Sequence, residues 1–165
     1  MLEGKGKYGI AFRQINIGDF ELCAAARKDA YFCSFGHYDG FDDFISGYRE
    51  RVLDRLATSG WFYIHIFVDD QFAGQLEFRS FSPEPETGYV HLIYLKPSFR
   101  GSGLAPKVQD YIVSTLSKAG CLRAVLSVSR TNHRALTFYK RHGWEFVCKN
   151  PKHDETDFYQ LWLRT

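Results

Sequence analysis

Apolar residues recur along this chain at two spacings, every second residue as in strands and every third or fourth residue as in helices. Runs of aromatic and β-branched residues predict strands at 10–14, 61–68, 72–79, 89–95, 122–128, 144–148 and 158–163. Apolar spacing and capping residues predict helices at 19–30, 41–60, 104–120 and 132–142. This mixture of strands and helices predicts an α/β fold with about four helices.

The links between the predicted strands indicate how the strands pair. Asp69, Asp70 and Gln71 form a link of hairpin length, which makes the strands on either side antiparallel neighbours. The segment from Tyr89 to Val128 instead runs strand, helix, strand, and this order predicts a right-handed crossover between parallel strands. The expected sheet is therefore mixed and mostly antiparallel.

Length and composition narrow the class further. A chain of 165 residues that is 45% hydrophobic and 24% charged predicts a single globular domain over residues 1–165. The longest apolar run, Trp61 to Val68, is too short to span a bilayer, and Met1 to Gly9 has no apolar segment. We therefore expect no secretory signal, no membrane partner and a cytoplasmic location. The four cysteines show neither disulfide nor ligand spacing, so no metal is expected.

The net charge of +2 conceals an uneven distribution. Residues 1–95 hold 9 Lys/Arg and 14 Asp/Glu, whereas residues 96–165 hold 12 and 5. Because a cleft lined by one sign of charge concentrates ligands of the other sign, the second half suits an anion and the first half a cation. Two solvated faces would give the same counts. There is no dense basic arm or nucleic-acid motif, so nucleic acid is not an expected partner.

A glycine-rich turn, RGSGLA from Arg100 to Ala105, separates a predicted strand from a predicted helix. Unpaired backbone N–H groups and the positive end of the helix dipole meet at such a point. Gly101 and Gly103 let the backbone approach an anion closely, and Arg100 adds a bidentate donor for phosphate oxygens. The turn is neither a Walker loop nor a dinucleotide fingerprint. By itself a glycine pair before a helix is a weak signal, and an ordinary turn is the alternative.

Two motifs in this part of the chain resemble those of the GNAT family of N-acetyltransferases. The first resembles the family's acetyl-coenzyme A motif and reads Leu95-x-Pro97-x-x-Arg100-x-x-Gly103-x-Ala105. The second resembles the family's helix beside the pantetheine arm and comprises Asn132, Ala135, Tyr139, Gly143 and Trp144. The close resemblance covers about Tyr89 to Val147, whereas the first 60 residues match only in the order of their elements.

The resemblance implies a single-domain fold whose central sheet is splayed at the cofactor site, with acetyl-coenzyme A as co-substrate. It implies direct transfer of an acetyl group, in a ternary complex, to a primary amine of a small molecule or a peptide. A non-catalytic acyl-coenzyme A binding module that regulates a partner is the alternative, and a homodimer is left open. The residues expected to contact the cofactor are Ile93, Tyr94, Leu95, Arg100, Gly101, Ser102, Gly103, Leu104, Ala105, Asn132 and Tyr139.

His91 is the candidate general base, because attack by an amine requires the loss of a proton and a histidine that titrates near neutrality suits that step. The strand period of two places His91 on the same face as Tyr89 and Ile93. The residue resembles the catalytic histidine of the arylalkylamine N-acetyltransferases. A structural histidine and a relay of water molecules are the alternatives.

Tyr139 is, by the same resemblance, the candidate proton donor to the coenzyme A thiolate. A phenol can hydrogen-bond to a thiolate and protonate it as charge develops. A core aromatic is the alternative interpretation of Tyr139. Backbone N–H groups near Tyr94 and Leu95 are the expected donors to the oxyanion.

The link between the first two predicted helices is the candidate acceptor site, since the family builds its acceptor wall there. The residues expected to contact the acceptor are Tyr31, Phe35, Tyr38, Asp39 and, on the strand of His91, Tyr89. Acids beside this site predict attraction of a cationic amine, and they are Asp39, Asp42, Asp43, Glu84 and Glu86. Core packing of the aromatic residues and simple solvation of the acids are the alternatives.

Overall fold

A computed structural model describes residues 9–163 and confirms the α/β class. This part of the chain holds seven strands in one sheet, in the order β1-β2-β3-β4-β5-β7-β6. The strands are β1 (Ile10–Gln14), β2 (Trp61–Val68), β3 (Gln71–Arg79), β4 (Thr87–Leu95), β5 (Arg123–Ser129), β6 (Glu145–Lys149) and β7 (Thr156–Trp162). The helices are α1 (Phe20–Phe35), α2 (Phe41–Ile45), α3 (Tyr48–Leu56), α4 (Leu104–Lys118) and α5 (His133–Arg141).

Two expectations concerned the start of the chain and membrane-spanning helices. The Met1–Gly9 segment, from which the absence of a leader was expected, lies outside the described residues except for Gly9. No helix within residues 9–163 is both long enough and apolar enough to cross a bilayer.

The sheet opens between its two central strands. Within residues 9–163 the neighbouring strands pair antiparallel, except β4 and β5, which are parallel as the crossover predicted. Their pairing joins Thr87–Val90 to Arg123–Leu126 and stops there. Because β4 continues to Leu95 and β5 to Ser129, the two strands separate beyond Val90. This opening confirms the expected splay.

Two layers of helices cover the sheet, and we name its faces after them. On the α4 face, four buried residues at helical spacing pack against Leu76, Phe78 and Leu126 of the sheet, and they are Leu104, Val108, Ile112 and Leu116. On the α1 face, Cys23 of α1 and Val52 of α3 lie in a second cluster with Ile15, Tyr48 and Tyr63. Apolar burial on both sides makes the sheet the centre of the molecule.

The first two predicted helices have different limits in the structure. Helix α1 continues five residues past Ala30, to a C-cap at Gly36 with a φ of 76° whose N–H donates to the carbonyl of Phe32. The predicted helix from Phe41 to Gly60 is divided into α2 and α3, because Ser46 is extended and Gly47 has a φ of 74°. The apolar spacing missed this break, since Ile45 of α2 packs in the same cluster as Tyr48 and Val52 of α3.

A β-bulge at His91 changes the face on which the following residues of β4 lie. Phe78 pairs with Val90 and the preceding residue, Glu77, pairs with Leu92, so His91 is an extra residue in β4. Tyr89 and His91 therefore both lie on the α1 face, with their ring centres 4.7 Å apart. Ile93 packs on the α4 face instead. The expectation that His91 and Ile93 share a face was wrong, because the bulge interrupts the period of two.

Candidate active site

The glycine turn at the start of α4 presents open backbone. Gly101 and Gly103 have φ values of 74° and 84°, which favour glycine, and a Cβ at either position would meet no heavy atom within 4 Å. Gly103 is the N-cap of α4, and no side chain caps the helix. Its first turn carries no acidic residue. The N–H groups of this helix start can therefore accept an anion.

Arg100 is held in place by neighbours that the sequence did not indicate. Its Nε donates to the Leu95 carbonyl over 2.8 Å, and its Nη2 donates to Asp29 Oδ2 over 3.2 Å. The Tyr94 hydroxyl donates to the same carboxylate oxygen over 2.6 Å. Asp29 thus ties α1 to the end of β4 and to the turn. A partner 71 residues away in the chain leaves no local signal in the sequence.

The remaining cofactor candidates lie around the turn and the opening. Ser102 Oγ donates to the Phe99 carbonyl over 2.6 Å, while Leu104 is buried and Ala105 half-buried in the first turn of α4. The backbone from Ile93 to Leu95 pairs with β3 on one side only, because the pairing with β5 has ended. The structure thus places the candidates from β4 and the turn along one continuous edge.

The candidates on α5 follow β5, the strand on the other side of the opening from β4. Asn132 is the N-cap of α5, and its Oδ1 accepts from the Ala135 N–H over 3.3 Å. Tyr139 is 9% exposed within the cluster of the α4 face, with its ring centre 5.7 Å from that of Trp144. Burial raises the pKa of the Tyr139 phenol, so this group keeps its proton at neutral pH and can donate it in a hydrogen bond.

His91 lies among aromatic residues on the α1 face. Its ring stacks on Trp61 with centres 5.5 Å apart, and its buried Nε2 has no hydrogen-bond partner within residues 9–163. Burial, followed by the nearby charge of Arg79, lowers the pKa of His91 to about 3. The expectation of a histidine titrating near neutrality is therefore corrected, because this imidazole is neutral at pH 7 and weakly basic.

This lowered pKa predicts a measurable acid sensitivity. A depressed pKa in the folded state means that the unfolded chain takes up a proton first, so stability is lost as the pH falls below the ordinary value of 6.5 toward about 3. His91→Asn should flatten the pH dependence of the unfolding free energy in that window, by up to about 1.4 kcal/mol per pH unit. Urea unfolding between pH 7 and pH 4 measures it. The exposed His133→Asn is the control, and equal slopes in both variants would contradict the prediction.

Of the acceptor candidates, Tyr31 and Phe35 lie on the last turns of α1, whereas Tyr38 and Asp39 lie in the link between α1 and α2 as expected. Tyr31 packs against Phe35 at 4.8 Å, and its hydroxyl donates to the Asp39 carbonyl over 2.6 Å. Tyr38 packs against Phe32 at 5.1 Å. The structure thus brings Tyr31, Phe35, Tyr38 and Asp39 together, whereas Tyr89 lies beside His91.

A shallow pocket of about 180 Å³ adjoins this aromatic group. It is lined by Phe35, His37, Arg130, Thr131 and Glu155. Thr131 Oγ1 donates to the Ser34 carbonyl over 2.8 Å and so joins the end of α1 to the segment that follows β5. Helix α1 therefore bridges the open end of the sheet.

The acids of the first half do not form one negative mouth. Glu84 forms an ion pair with Arg123 near the start of β4, at the end of the strand remote from the glycine turn. Because this ion pair neutralises Glu84, its expected attraction of a cationic amine is corrected. Asp29 and Asp70 also pair with arginines, while Asp39 and its neighbours in α2 are exposed.

A buried polar network beneath the α1 face was missed by the sequence analysis. Glu77 is 0% exposed and accepts from Arg27, from the Tyr48 hydroxyl and, over 2.7 Å, from Gln75 Nε2. His65 Nε2 lies 2.9 Å from Gln75 Oε1. Burial acts to raise the pKa of Glu77, but the charge of Arg27 and these hydrogen bonds outweigh it and lower the pKa. Polar residues alternating along β3 were the signal that could have revealed it.

Comparison with solved structures identifies the class of fold. PaiA N-acetyltransferase from Thermoplasma acidophilum, in complex with coenzyme A, superposes with a TM-score of 0.80 at 16% identity over 93% of this chain and 99% of that chain. A chimera of the spermidine N-acetyltransferase SpeG from Vibrio cholerae superposes with a TM-score of 0.71 at 13% identity, over 93% and 95% of the chains. The fold is therefore that of N-acetyltransferases of known structure.

Sequence comparison identifies the family. The family described as acetyltransferase (GNAT) matches residues 22–144. An uncharacterized N-acetyltransferase from Mycobacterium tuberculosis is 30% identical over 70 residues, which are 40% of this chain and 45% of that protein. This match thus spans less than half the length of the curated relative. Because the family match covers most of the chain, the chain belongs to the acetyltransferase (GNAT) family.

Proposed function

We propose that this protein is an acetyl-coenzyme A dependent N-acetyltransferase that transfers the acetyl group directly to a primary amine. The observation that carries the proposal is the uncapped, open start of α4 beside the opening between β4 and β5. An anion at the helix start and an acyl arm in the opening would occupy both features. The Thermoplasma relative in complex with coenzyme A supports this arrangement.

The turn from Arg100 to Ala105 would hold the pyrophosphate through backbone N–H groups. Arg100 is already bonded to Asp29 and Leu95, so its first role is to fix the shape of the turn. The unpaired edge of β4 from Ile93 to Leu95 would hold the pantetheine arm and donate to the developing oxyanion. Asn132 would act mainly by starting α5, the helix that carries Tyr139.

The two catalytic candidates lie on opposite faces of the sheet. Bound acetyl-coenzyme A supplies a thioester as the acyl donor. Tyr139, on the α4 face, would donate a hydrogen bond to the departing thiolate. His91, on the α1 face, would accept a hydrogen bond from the attacking amine through its unpartnered Nε2. Because its pKa is low, His91 is suited to orienting a neutral amine, and water would carry the proton away.

A substitution in the turn tests the assignment of the cofactor. Gly103→Glu should abolish measurable binding of acetyl-coenzyme A in calorimetric titration. The side chain would keep the pyrophosphate away from the backbone N–H groups, and its negative charge would repel the pyrophosphate. Gly120→Glu is the matched control. Gly120 also has a positive φ, 94°, with open space around it, but it follows the opposite end of α4.

The outcomes of this titration separate the proposal from its alternatives. Binding by Gly103→Glu that equals the control would remove the turn as the cofactor site. Cofactor binding by the unmodified protein, without release of coenzyme A for any amine, would instead favour a regulatory acyl-coenzyme A binding module. The SpeG relative, named for spermidine, makes an amine panel the natural first screen.

A further inference from the structure

A patch on the α1 face gathers two cations around one indole ring. Trp61 lies opposite Arg79 across β2 and β3, and Arg79 lies opposite Tyr89 across β3 and β4. Arg55, in the last turn of α3, places its guanidinium 3.9 Å from the centre of the Trp61 ring. His91 stacks on the same ring. We call Arg55, Arg79, Trp61 and His91 the arginine patch.

The Arg79 side chain lacks a polar partner. Its guanidinium lies 5.4 Å from the ring centres of Trp61 and Tyr89 and 5.2 Å from that of Phe81. Within residues 9–163 it makes no side-chain hydrogen bond or ion pair, and its Nε is buried without a partner. A buried donor without an acceptor is costly and rare in folded proteins. A negatively charged ligand could supply this acceptor.

Arg55 also lacks a carboxylate. Its Nη1 donates to the neutral Tyr63 hydroxyl over 2.8 Å, and the described residues give it no ion pair. Arg27, a third arginine on this face, is neutralised by Glu77. Burial and the charge of Arg55 lower the pKa of Arg79, partly offset by Tyr89. Two adjacent cations of this kind favour an anionic ligand.

His91 supplies a second unpartnered atom beside Arg79. Only three buried side-chain polar atoms in residues 9–163 lack a partner, and two of them, Arg79 Nε and His91 Nε2, belong to the arginine patch. The guanidinium needs an acceptor, and a neutral imidazole nitrogen can accept from an amine N–H. A molecule with a negative group at one end and an amine at the other would satisfy both.

We propose, resting on the function proposed above, that Arg55 and Arg79 bind a carboxylate of the acceptor, and that the acceptor is a small amino acid. Its amine meets His91 and its body packs against Trp61 and Tyr89. The two arginines and His91 are gathered around one indole ring. This short separation between the anion site and the amine site favours a free amino acid over a long polyamine. This assignment reverses the cationic preference expected from the acids of the first half, because the unpaired charges beside His91 are positive.

Matched acceptors test the proposal on the unmodified enzyme. Each of several L-amino acids is compared with its carboxamide, which keeps the amine and the side chain and removes the charge. We expect kcat/KM, measured by coenzyme A release, to be about 10- to 100-fold higher for the acids, the usual range for hydrogen bonds to a charged group. The amide has the more reactive amine at neutral pH, so intrinsic reactivity would give the opposite order.

Arginine variants assign the effect to the patch. Arg79→Gln should lower kcat/KM for the acids by about 10- to 100-fold, leave the amides nearly unchanged and leave the dissociation constant of acetyl-coenzyme A unchanged. Arg13→Gln is the control, because Arg13 is an exposed arginine of β1 that pairs with Asp70. Weaker binding of acetyl-coenzyme A by Arg79→Gln alone would assign the patch to the cofactor and overturn the proposal.

Direct titration of the amino acids tests the arginine patch separately from the proposed acetyltransferase function. If acetyl-coenzyme A does not bind, the proposed function fails, yet the patch is still tested by calorimetric titration of the acids and amides into unmodified protein and Arg79→Gln. Tighter binding of acids that Arg79→Gln abolishes supports the patch. Acids that neither bind nor react better than their amides overturn it, even if other amines are acetylated.

Discussion

Tyr139→Phe is expected to lower kcat by about 10²- to 10³-fold, the usual cost of removing one donor to a developing negative charge. Phenylalanine keeps the ring and its packing against Trp144, 5.7 Å away, so the fold and the affinity for acetyl-coenzyme A should change little. Because burial raises the pKa of Tyr139, the phenol stays protonated, and the pH profile of the remaining activity should keep its shape. Steady-state kinetics with the best acceptor, together with calorimetric titration of the cofactor, measure both effects.

Tyr111→Phe is the matched control for this substitution. Tyr111 also belongs to the α4 face, where its ring stacks on Phe12 at 4.1 Å, but it lies on α4 and not on α5. Its variant should retain kcat. If Tyr139→Phe also retained kcat, or lost activity only through weaker cofactor binding, the residue would be a packing aromatic.

The segment from β4 to α5 was predicted well because its signals are local. The apolar spacing of α4, the glycines of its preceding turn and the Asn132 cap of α5 each determine conformation within a few residues. The predicted strands are confirmed within a few residues for the same reason. Local sequence signals were therefore sufficient to predict the secondary structure around the candidate cofactor site.

The acceptor side was predicted less well because long-range contacts determine it. The bulge at His91 depends on register with β3, and a pattern of apolar positions in β4 does not contain that register. Asp29 meets Arg100, and Arg55 meets Trp61, only after folding. The total of charges in the first half does not describe the local charge beside His91, since tertiary structure neutralises some acids and leaves Arg79 without a partner.

Glu77→Leu is expected to destabilise the protein by about 3–5 kcal/mol, because it leaves the largely buried Arg27 without its counter-charge. Chemical denaturation at pH 7 measures the loss. The double variant Arg27→Met with Glu77→Leu should recover most of it, since replacing both partners of a buried ion pair by apolar residues is often neutral. Glu84→Leu is the control, because Glu84 pairs with Arg123 at the surface and should contribute about 1 kcal/mol or less.

The same carboxylate predicts the direction of the acid dependence. The lowered pKa of Glu77 in the folded state means that its stabilisation is present above the ordinary carboxyl value of about 4.3 and is lost as the pH falls below it. Glu77→Gln should therefore reduce the loss of stability below that pH, whereas His91→Asn acts at higher pH, in the window that begins at 6.5. A stability loss that begins near pH 6.5 and is removed by His91→Asn, with a further loss below about pH 4.3 that is removed by Glu77→Gln, would assign the two parts of the curve to these residues. A Glu77→Gln variant as stable as the unmodified protein at pH 7 would mean that the Arg27 pair contributes nothing to holding α1 on the sheet.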